Sequence, residues 1–203
     1  HAEAKYSEWM VEDRIFEPLS VILNEEQLEV RIFTNIVSIV ANLAANGDES
    51  KKKIFQMKAL EQIYKKADNY TDMKSEGLLT WLFWICSSGS IDGAALPLVT
   101  GKLFIDKLAV YFFKHQEPQL LIECCKSFIS FMSPEQDKMA RIEYILEKKI
   151  HIRVYELLSQ KTLAAKIIHF LLGICEGISR GTEELVNIAF FQNIRFLPVS
   201  VSG

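Results

Sequence analysis

The segment that decides the fold is Ile32–Ala45, which reads IFTNIVSIVANLAA and is followed directly by Asn46-Gly47-Asp48. Its apolar side chains recur three and four residues apart along the segment, at Ile32, Phe33, Ile36, Val37, Val40 and Leu43. This spacing places them on one broad face of an α-helix, whereas a half-buried strand would alternate every second residue. The segment therefore predicts a long amphipathic helix that ends at a glycine-containing turn.

Three further apolar segments resemble the first one and also end near turn-forming residues: Leu78–Gly89, Leu121–Met132 and Ile167–Gly177. Aligning the four segments by their last apolar turn brings into register Asn42, Trp84, Ser130 and Gly173, which are 42, 46 and 43 residues apart. A helical repeat of about 40–47 residues is typical of armadillo and HEAT arrays. One such unit cannot bury its own apolar face, but stacked units share a continuous core. The sequence therefore predicts an all-α, right-handed armadillo/HEAT-type α-solenoid of about four to five repeats.

Shorter helices are predicted between the long segments, at Glu49–Met57, Ala59–Ala67, Gly93–Val99, Lys102–Lys114, Pro134–Glu147, Ile150–Ser159 and Gly181–Phe190. Pro134 fits the first turn of its helix, with Ser133 as the N-cap. The approximate repeat units are residues 1–47, 48–90, 91–133 and 134–180, with a partial unit at 181–203. We expect residues 1–203 to form a single armadillo-like solenoid, and to be a fragment of a longer array.

Composition restricts the possible partners of the chain. Of its 203 residues, 49% are hydrophobic and 24% are charged, so the chain can bury a sizeable core. The formal net charge of −3 disfavours a nucleic-acid partner, because phosphate binding usually needs a basic surface. No stretch reaches the roughly 18 unbroken apolar residues that span a bilayer, so we expect no membrane insertion.

The cysteines and histidines do not indicate a metal site. Adjacent Cys124 and Cys125 point to different sides of a helix and do not form the C-x-x-C spacing of zinc ligands. All four cysteines lie in apolar, helix-like segments, at Cys86, Cys124, Cys125 and Cys175. They are typical of reduced, buried thiols in a reducing compartment, so we expect a cytoplasmic or nuclear protein with no metal or cofactor.

Several segments resemble the importin α family, the armadillo adaptors that recognise nuclear localisation signals. Val40–Asp48 is similar to the N-[IL]…G-D end of the third helix of an importin α repeat, and Ile54–Leu60 is similar to the helix that follows it. Leu171–Gly177 and Thr182–Val186 resemble a later unit. The resemblance covers residues 28–194. It implies a concave ladder of Trp and Asn, four residues apart on each third helix, that holds an extended Lys/Arg-rich peptide by stacking and amide hydrogen bonds.

The resemblance assigns a groove position to one or two residues of each long helix, but most of them depart from the family. The Trp positions are occupied by Ser38, Thr80, Lys126 and His169, and the Asn positions by Asn42, Trp84, Ser130 and Gly173. A slip of one residue in the alignment decides whether Trp81 or Trp84 faces the groove. The expected peptide-binding residues on the concave face are Ser38, Asn42, Thr80, Trp81, Trp84, Lys126, Ser130 and His169. Among them, Lys126 would repel a basic peptide.

The sequence predicts a non-catalytic protein-binding scaffold that resembles a nuclear import cargo adaptor. It contains no phosphate loop, nucleophile elbow or paired carboxylates in a pocket-like context, so we expect no enzymatic activity. The expected partner is a protein or an extended peptide segment. The alternative is a structural armadillo subunit embedded in a large protein assembly, for which the surface candidates are Phe112, Phe113, Phe190 and Phe191.

Overall fold

The computed structural model describes residues 15–56, 58–88 and 96–190. Within these ranges the chain is helical and contains no strand. The helices are α1 (Phe16–Leu23), α2 (Val30–Ala45), α3 (Asp48–Gln56), α4 (Ala59–Lys66), α5 (Met73–Ser87), α6 (Leu98–Lys114), α7 (Pro118–Met132), α8 (Lys138–Glu147), α9 (Ile150–Leu158), α10 (Ala165–Ser179) and α11 (Glu183–Phe190), with a 3₁₀ turn at Ala67–Asn69.

The helices form two layers. The four long apolar segments of the sequence become α2, α5, α7 and α10, which pack side by side in that order and are called the ladder helices below. An outer layer of α1, α4, α6 and α9 stacks in the same order, and the short helices α3, α8 and α11 follow the ladder helices. The ladder helices contact one another much more extensively than the outer helices do. The ladder helices therefore form one continuous layer of the stack.

Each helix is held in the stack by apolar and aromatic contacts between layers. On α2, Phe33, Ile36, Val37 and Val40 are buried as predicted, whereas Ile32 is 42% exposed. The ring of Phe33 stacks on Tyr70 with centroids 3.8 Å apart. Further aromatic pairs follow along the core, namely Phe83 with Phe104 and Phe112 with Phe128. One continuous core therefore runs through the described units, as the repeat pattern predicts.

Two predicted helix boundaries are wrong. The Ser133 hydroxyl donates a hydrogen bond to the Ile129 carbonyl at 2.8 Å, so Ser133 ends α7 instead of capping the next helix. That next helix, α8, begins at Lys138 after Asp137 adopts a left-handed conformation with φ of 56°. The break predicted between Val99 and Lys102 is absent, since Leu98–Lys114 is one continuous helix in which Gly101 packs against the ring of Phe131. Residues 93–95 of the predicted helix Gly93–Val99 lie outside the described residues.

The buried polar residues act as anchors between helices. Lys51 was predicted only as part of a basic helix, but it is 9% exposed and its ammonium donates a hydrogen bond to the Ser88 carbonyl at 2.7 Å. Arg141 on α8 is 1% exposed. Its Nη2 donates to the Leu96 carbonyl at 2.7 Å and its Nε donates to the Gln136 carbonyl at 3.1 Å. Arg141 therefore joins the start of α6 to the α7–α8 connection.

The four cysteines are free thiols, and three of them are buried. Burial raises the pKa of the Cys86 thiol to about 12, and it also raises the pKa values of Cys124 and Cys125. Cys175 is partly exposed, and burial raises its pKa as well. Thiols of raised pKa are poor nucleophiles, so these cysteines pack as small apolar side chains.

A buried histidine makes stability depend on pH. His151 on α9 is 5% exposed, and burial lowers its pKa below the ordinary value of 6.5. As the pH falls through that value, the unfolded chain binds a proton that the folded chain resists binding, so folding loses stability. We expect the urea midpoint of the wild type to fall more between about pH 7.5 and about pH 5.5 than the midpoint of His151→Gln. An equal fall in both proteins would show that His151 does not contribute to the pH dependence.

Candidate peptide-binding face

The ladder helices present a row of partly exposed side chains, here called the ladder face. On α2 it contains Ser38, which is half-buried, and Asn42, which is exposed. The Asn42 side-chain amide donates a hydrogen bond to the Ser38 carbonyl at 2.9 Å. Asn42 is therefore accessible to the backbone of a bound segment. On binding, its side-chain N–H group would donate to a carbonyl of that segment instead of to the Ser38 carbonyl.

On α5 the ladder face is aromatic. Trp81 and Trp84 are both half-buried, while Leu82 and Phe83 between them are fully buried. Thr80 does not belong to this face, because its side chain is completely buried and its hydroxyl donates to the Glu76 carbonyl at 2.7 Å. In this conformation a bound peptide cannot contact the Thr80 side chain. Thr80, which was predicted on the peptide-binding face, lies in the core instead.

A lysine on α7 links three neighbouring ladder helices. The Lys126 Nζ lies 4.2 Å from the centroid of the Trp84 ring on α5 and 5.8 Å from that of the Phe170 ring on α10. The same ammonium lies 3.0 Å from Oε1 of Glu123, one turn earlier on α7. The side chains of Trp84, Glu123, Lys126 and Phe170 are called the cation cluster below. In it, an ammonium contacts two aromatic faces and one carboxylate, which is a strongly favourable setting for a cation.

Beside the cation cluster, α7 and α10 approach each other closely at two glycines of α10. A Cβ atom at Gly173 would lie 2.8 Å from Cδ1 of Ile129, and one at Gly177 would lie 2.6 Å from Cε of Met132. Gly173 occupies an Asn position of the ladder, and an amide there would have to displace the Ile129 side chain. A small groove of about 70 Å³ runs along this contact and is lined by Ile129, Met132, Ser133, Gly173, Glu176, Gly177 and Arg180.

The close approach at Gly173 can be tested by restoring the ladder amide. We expect Gly173→Asn to lower the free energy of unfolding by about 1–3 kcal/mol, because the new side chain must displace Ile129 from a packed interface. The matched control is Gly77→Ala on α5, where an added Cβ meets nothing within 4 Å. That substitution should stabilise the protein by about 0.5–1 kcal/mol through helix propensity. Urea denaturation measures both values, and a neutral Gly173→Asn would contradict the packing argument.

The remaining predicted positions lie on α7 and α10. Ser130 is half-buried, and His169 is exposed with its ring 5.2 Å from Phe170 in an edge-on contact. Glu123 and Phe170 are not among the site residues predicted from the sequence. Phe170 directly follows the predicted His169, so the one-residue uncertainty recognised for Trp81 and Trp84 also applied here. Glu123 precedes Lys126 by three residues, which is the spacing of a helical ion pair.

The described residues contain no group of three or more His, Cys, Asp or Glu side chains placed to hold a metal ion. Within the same ranges, no helix combines the length and the apolar character needed to cross a bilayer. The side chains present on the ladder face can stack, form ion pairs and donate amide hydrogen bonds.

The likeness to known proteins is one of structure. Neither a scan of protein-family models nor a search of curated proteins finds a match. Among solved structures, the designed armadillo repeat protein YIII(Dq)4CqI matches with a TM-score of 0.72 at 14% identity, covering 92% of this chain and 75% of its own. The designed armadillo repeat protein YIII(Dq.V1)4CPAF, in complex with peptide (KR)4, matches with a TM-score of 0.67 at 15% identity, covering 85% of this chain and 67% of its own.

Identities this low establish the fold and nothing further. The two-layer order of the helices, their period and these structural matches agree with one another. The chain is an all-α, right-handed armadillo-type solenoid.

Proposed function

We propose that the protein is a non-catalytic scaffold whose ladder face binds an extended segment of a partner protein. The observation that carries this proposal is the set of accessible or half-buried side chains on three of the four ladder helices, with Asn42 on α2, Trp81 and Trp84 on α5, and His169 on α10. Amides and half-buried aromatic rings at successive positions suit a segment that needs both backbone hydrogen bonds and side-chain packing. Repeat solenoids commonly use such concave surfaces for binding.

The finer proposal is a cargo adaptor of the importin α type, acting between cytoplasm and nucleus. The resemblance of Val40–Asp48 to the family supports it, and so does the designed armadillo protein whose structure contains a (KR)4 peptide. The departures at Thr80, Lys126 and Gly173 weigh against a full import-signal groove, because a core residue, a cation and a packing glycine stand at ladder positions.

An unbiased peptide selection tests the ladder-face proposal. A displayed library of random 12-residue peptides would be selected on the immobilised chain, and enriched sequences would be titrated by fluorescence anisotropy. We expect the double variant Asn42→Ala/His169→Ala to weaken binding about tenfold or more, since both side chains are exposed on the ladder face. The control is Lys65→Ala, an exposed position on the outer helix α4, which should leave binding unchanged. Equal losses in both proteins, or no enrichment, would reject the ladder face as the binding surface.

The alternative function, a structural subunit of a larger assembly, is favoured by a different surface. The outer helix α6 exposes Val99 at 76%, Val110 at 58% and Phe113 at 42%. Phe112, proposed with Phe113 from the sequence, is instead fully buried, and Phe190 packs edge-on against Tyr155. Phe191 lies outside the described residues. Sedimentation velocity distinguishes a free binding scaffold from a subunit of a larger assembly. A free adaptor stays monomeric at tens of micromolar, whereas an assembly subunit self-associates through its apolar surface until Val110→Lys/Phe113→Lys is introduced.

A further inference from the structure

The cation cluster contains a complete binding site for a positively charged side chain. The Trp84 and Phe170 rings supply two aromatic faces, at 4.2 Å and 5.8 Å from the bound ammonium. Glu123, which is 9% exposed as a residue, supplies a carboxylate, and its Oε1 also accepts a hydrogen bond from the Gln119 amide at 2.7 Å. Its second oxygen, Oε2, is buried and has no hydrogen-bond partner within the described residues. A buried carboxylate with an unused oxygen strongly favours a nearby cation.

The ammonium that occupies this site belongs to the chain itself. Lys126 could pair with Glu123 on the surface of α7 alone, since the two residues are three positions apart on one helix. Instead, its ammonium lies over rings of both neighbouring ladder helices, α5 and α10. We propose that Trp84, Glu123 and Phe170 form a cation site that Lys126 closes from within, and that opens to a Lys or Arg side chain of a bound segment when Lys126 is displaced or neutralised.

The geometry makes this exchange feasible. The Lys126 side chain remains 24% exposed, so its flexible stem can swing into water without repacking of the core. The two aromatic rings stay in place, because Trp84 and Phe170 are half-buried on separate helices. A departing ammonium leaves the Glu123 carboxylate buried and uncompensated, which drives the uptake of another cation. While Lys126 is in place, its charge repels an incoming basic side chain at close range.

This inference rests on the proposed ladder face as the place where a partner segment binds. It adds that the unmodified protein discriminates against basic segments at this position, although the surrounding groups favour a cation. The site differs from the family ladder, because Trp84 stands at an Asn position, and the lysine that fills the site stands at the Trp position of the next long helix.

The test removes the internal lysine and measures binding of a basic peptide. The probe is fluorescein-labelled (Lys-Arg)4, titrated by anisotropy with the 203-residue chain at low and physiological salt. A (Ser-Gln)4 peptide serves as the uncharged control. We expect Lys126→Met, which keeps the apolar stem, and Lys126→Ala to bind the basic peptide at least about tenfold more tightly than the wild type. Lys126→Arg keeps a cation in the site and should bind as the wild type does.

Two controls separate the cation site from a general change of charge. Lys166→Ala removes an exposed lysine of α10 outside the cluster, and it should give no comparable gain. Adding Glu123→Gln to Lys126→Met should remove most of the gain, because the carboxylate that recruits the cation is lost. Far-ultraviolet circular dichroism of each variant confirms that the helices are intact.

The Lys126→Met measurements test the cation site separately from the proposed binding function of the ladder face. A folded Lys126→Met that binds no more tightly than the wild type would overturn the cation site, and so would a gain that survives Glu123→Gln or appears equally in Lys166→Ala. If the peptide selection described above still yields sequences that depend on Asn42 and His169, the ladder-face function stands while the cation site fails. If the selection yields none, the binding function itself is rejected.

Discussion

Replacing Arg141 by alanine should lower the free energy of unfolding by about 3–5 kcal/mol. The Arg141 guanidinium is 1% exposed and donates hydrogen bonds to the carbonyls of Leu96, Gln136 and Phe131, the last at 3.4 Å. It also lies over the Phe131 ring, 5.1 Å from the centroid. The substitution would leave several carbonyls without this donor and a cavity where the side chain packed, so more than one contact is lost at once.

Urea denaturation followed by circular dichroism measures the effect. Arg141→Lys should fall between the wild type and Arg141→Ala, because a single ammonium cannot reproduce the planar fork that reaches separate carbonyls. The control is Arg180→Ala, whose side chain is 55% exposed and pairs with Glu176 on the surface of α10. Exposed pairs of this kind contribute about 0–1 kcal/mol. A loss of less than about 1 kcal/mol in Arg141→Ala would show that the buried guanidinium is not a structural anchor.

The fold could be predicted because its signal repeats. Each ladder helix has its own apolar face, and these faces could be aligned from the sequence. The aligned positions Asn42, Trp84, Ser130 and Gly173, one in each helix, revealed the period of the repeat without any contact information. The boundaries were less predictable where local and tertiary preferences compete. Ser133 and Pro134 have the local chemistry of a helix start, yet the Ser133 hydroxyl bonds back to Ile129 and α8 begins only at Lys138. The role of Arg141 as an anchor could not be predicted from the sequence either, because its carbonyl partners lie at distant positions or in irregular backbone.

The candidate site was only partly predictable for a related reason. Periodicity identifies the helix that lines the ladder face, but a rotation of one residue changes which side chain is accessible. Thr80 and Trp81 are adjacent on the same helix, and Thr80 is fully buried while Trp81 is half-buried. The role of Lys126 depends on side chains contributed by two other repeats, so single-helix spacing could not reveal it. The role of Gly173 likewise depends on how closely it approaches Ile129 on the neighbouring helix, which the sequence alone does not show.

Alanine substitutions at two adjacent residues of α5 should therefore lower stability by different amounts. Phe83 is fully buried, and its ring stacks on Phe104 of α6 with centroids 4.7 Å apart. We expect Phe83→Ala to cost about 3–5 kcal/mol of unfolding free energy, through lost burial and a residual cavity between the two layers. Trp84 is half-buried and faces Lys126, so Trp84→Ala should cost only about 1–2 kcal/mol.

Binding measurements should show the reverse order. A peptide selected for the ladder face should bind Trp84→Ala more weakly by about tenfold, since an accessible Trp is a common hot spot. Phe83→Leu, which keeps the core mostly filled, should retain wild-type affinity in its folded state. Because both side chains belong to the same turn of one helix, a difference between them cannot come from a general loss of α5. If Trp84→Ala destabilised the chain as much as Phe83→Ala, Trp84 would be a core residue, and neither the ladder face nor the cation cluster could include it.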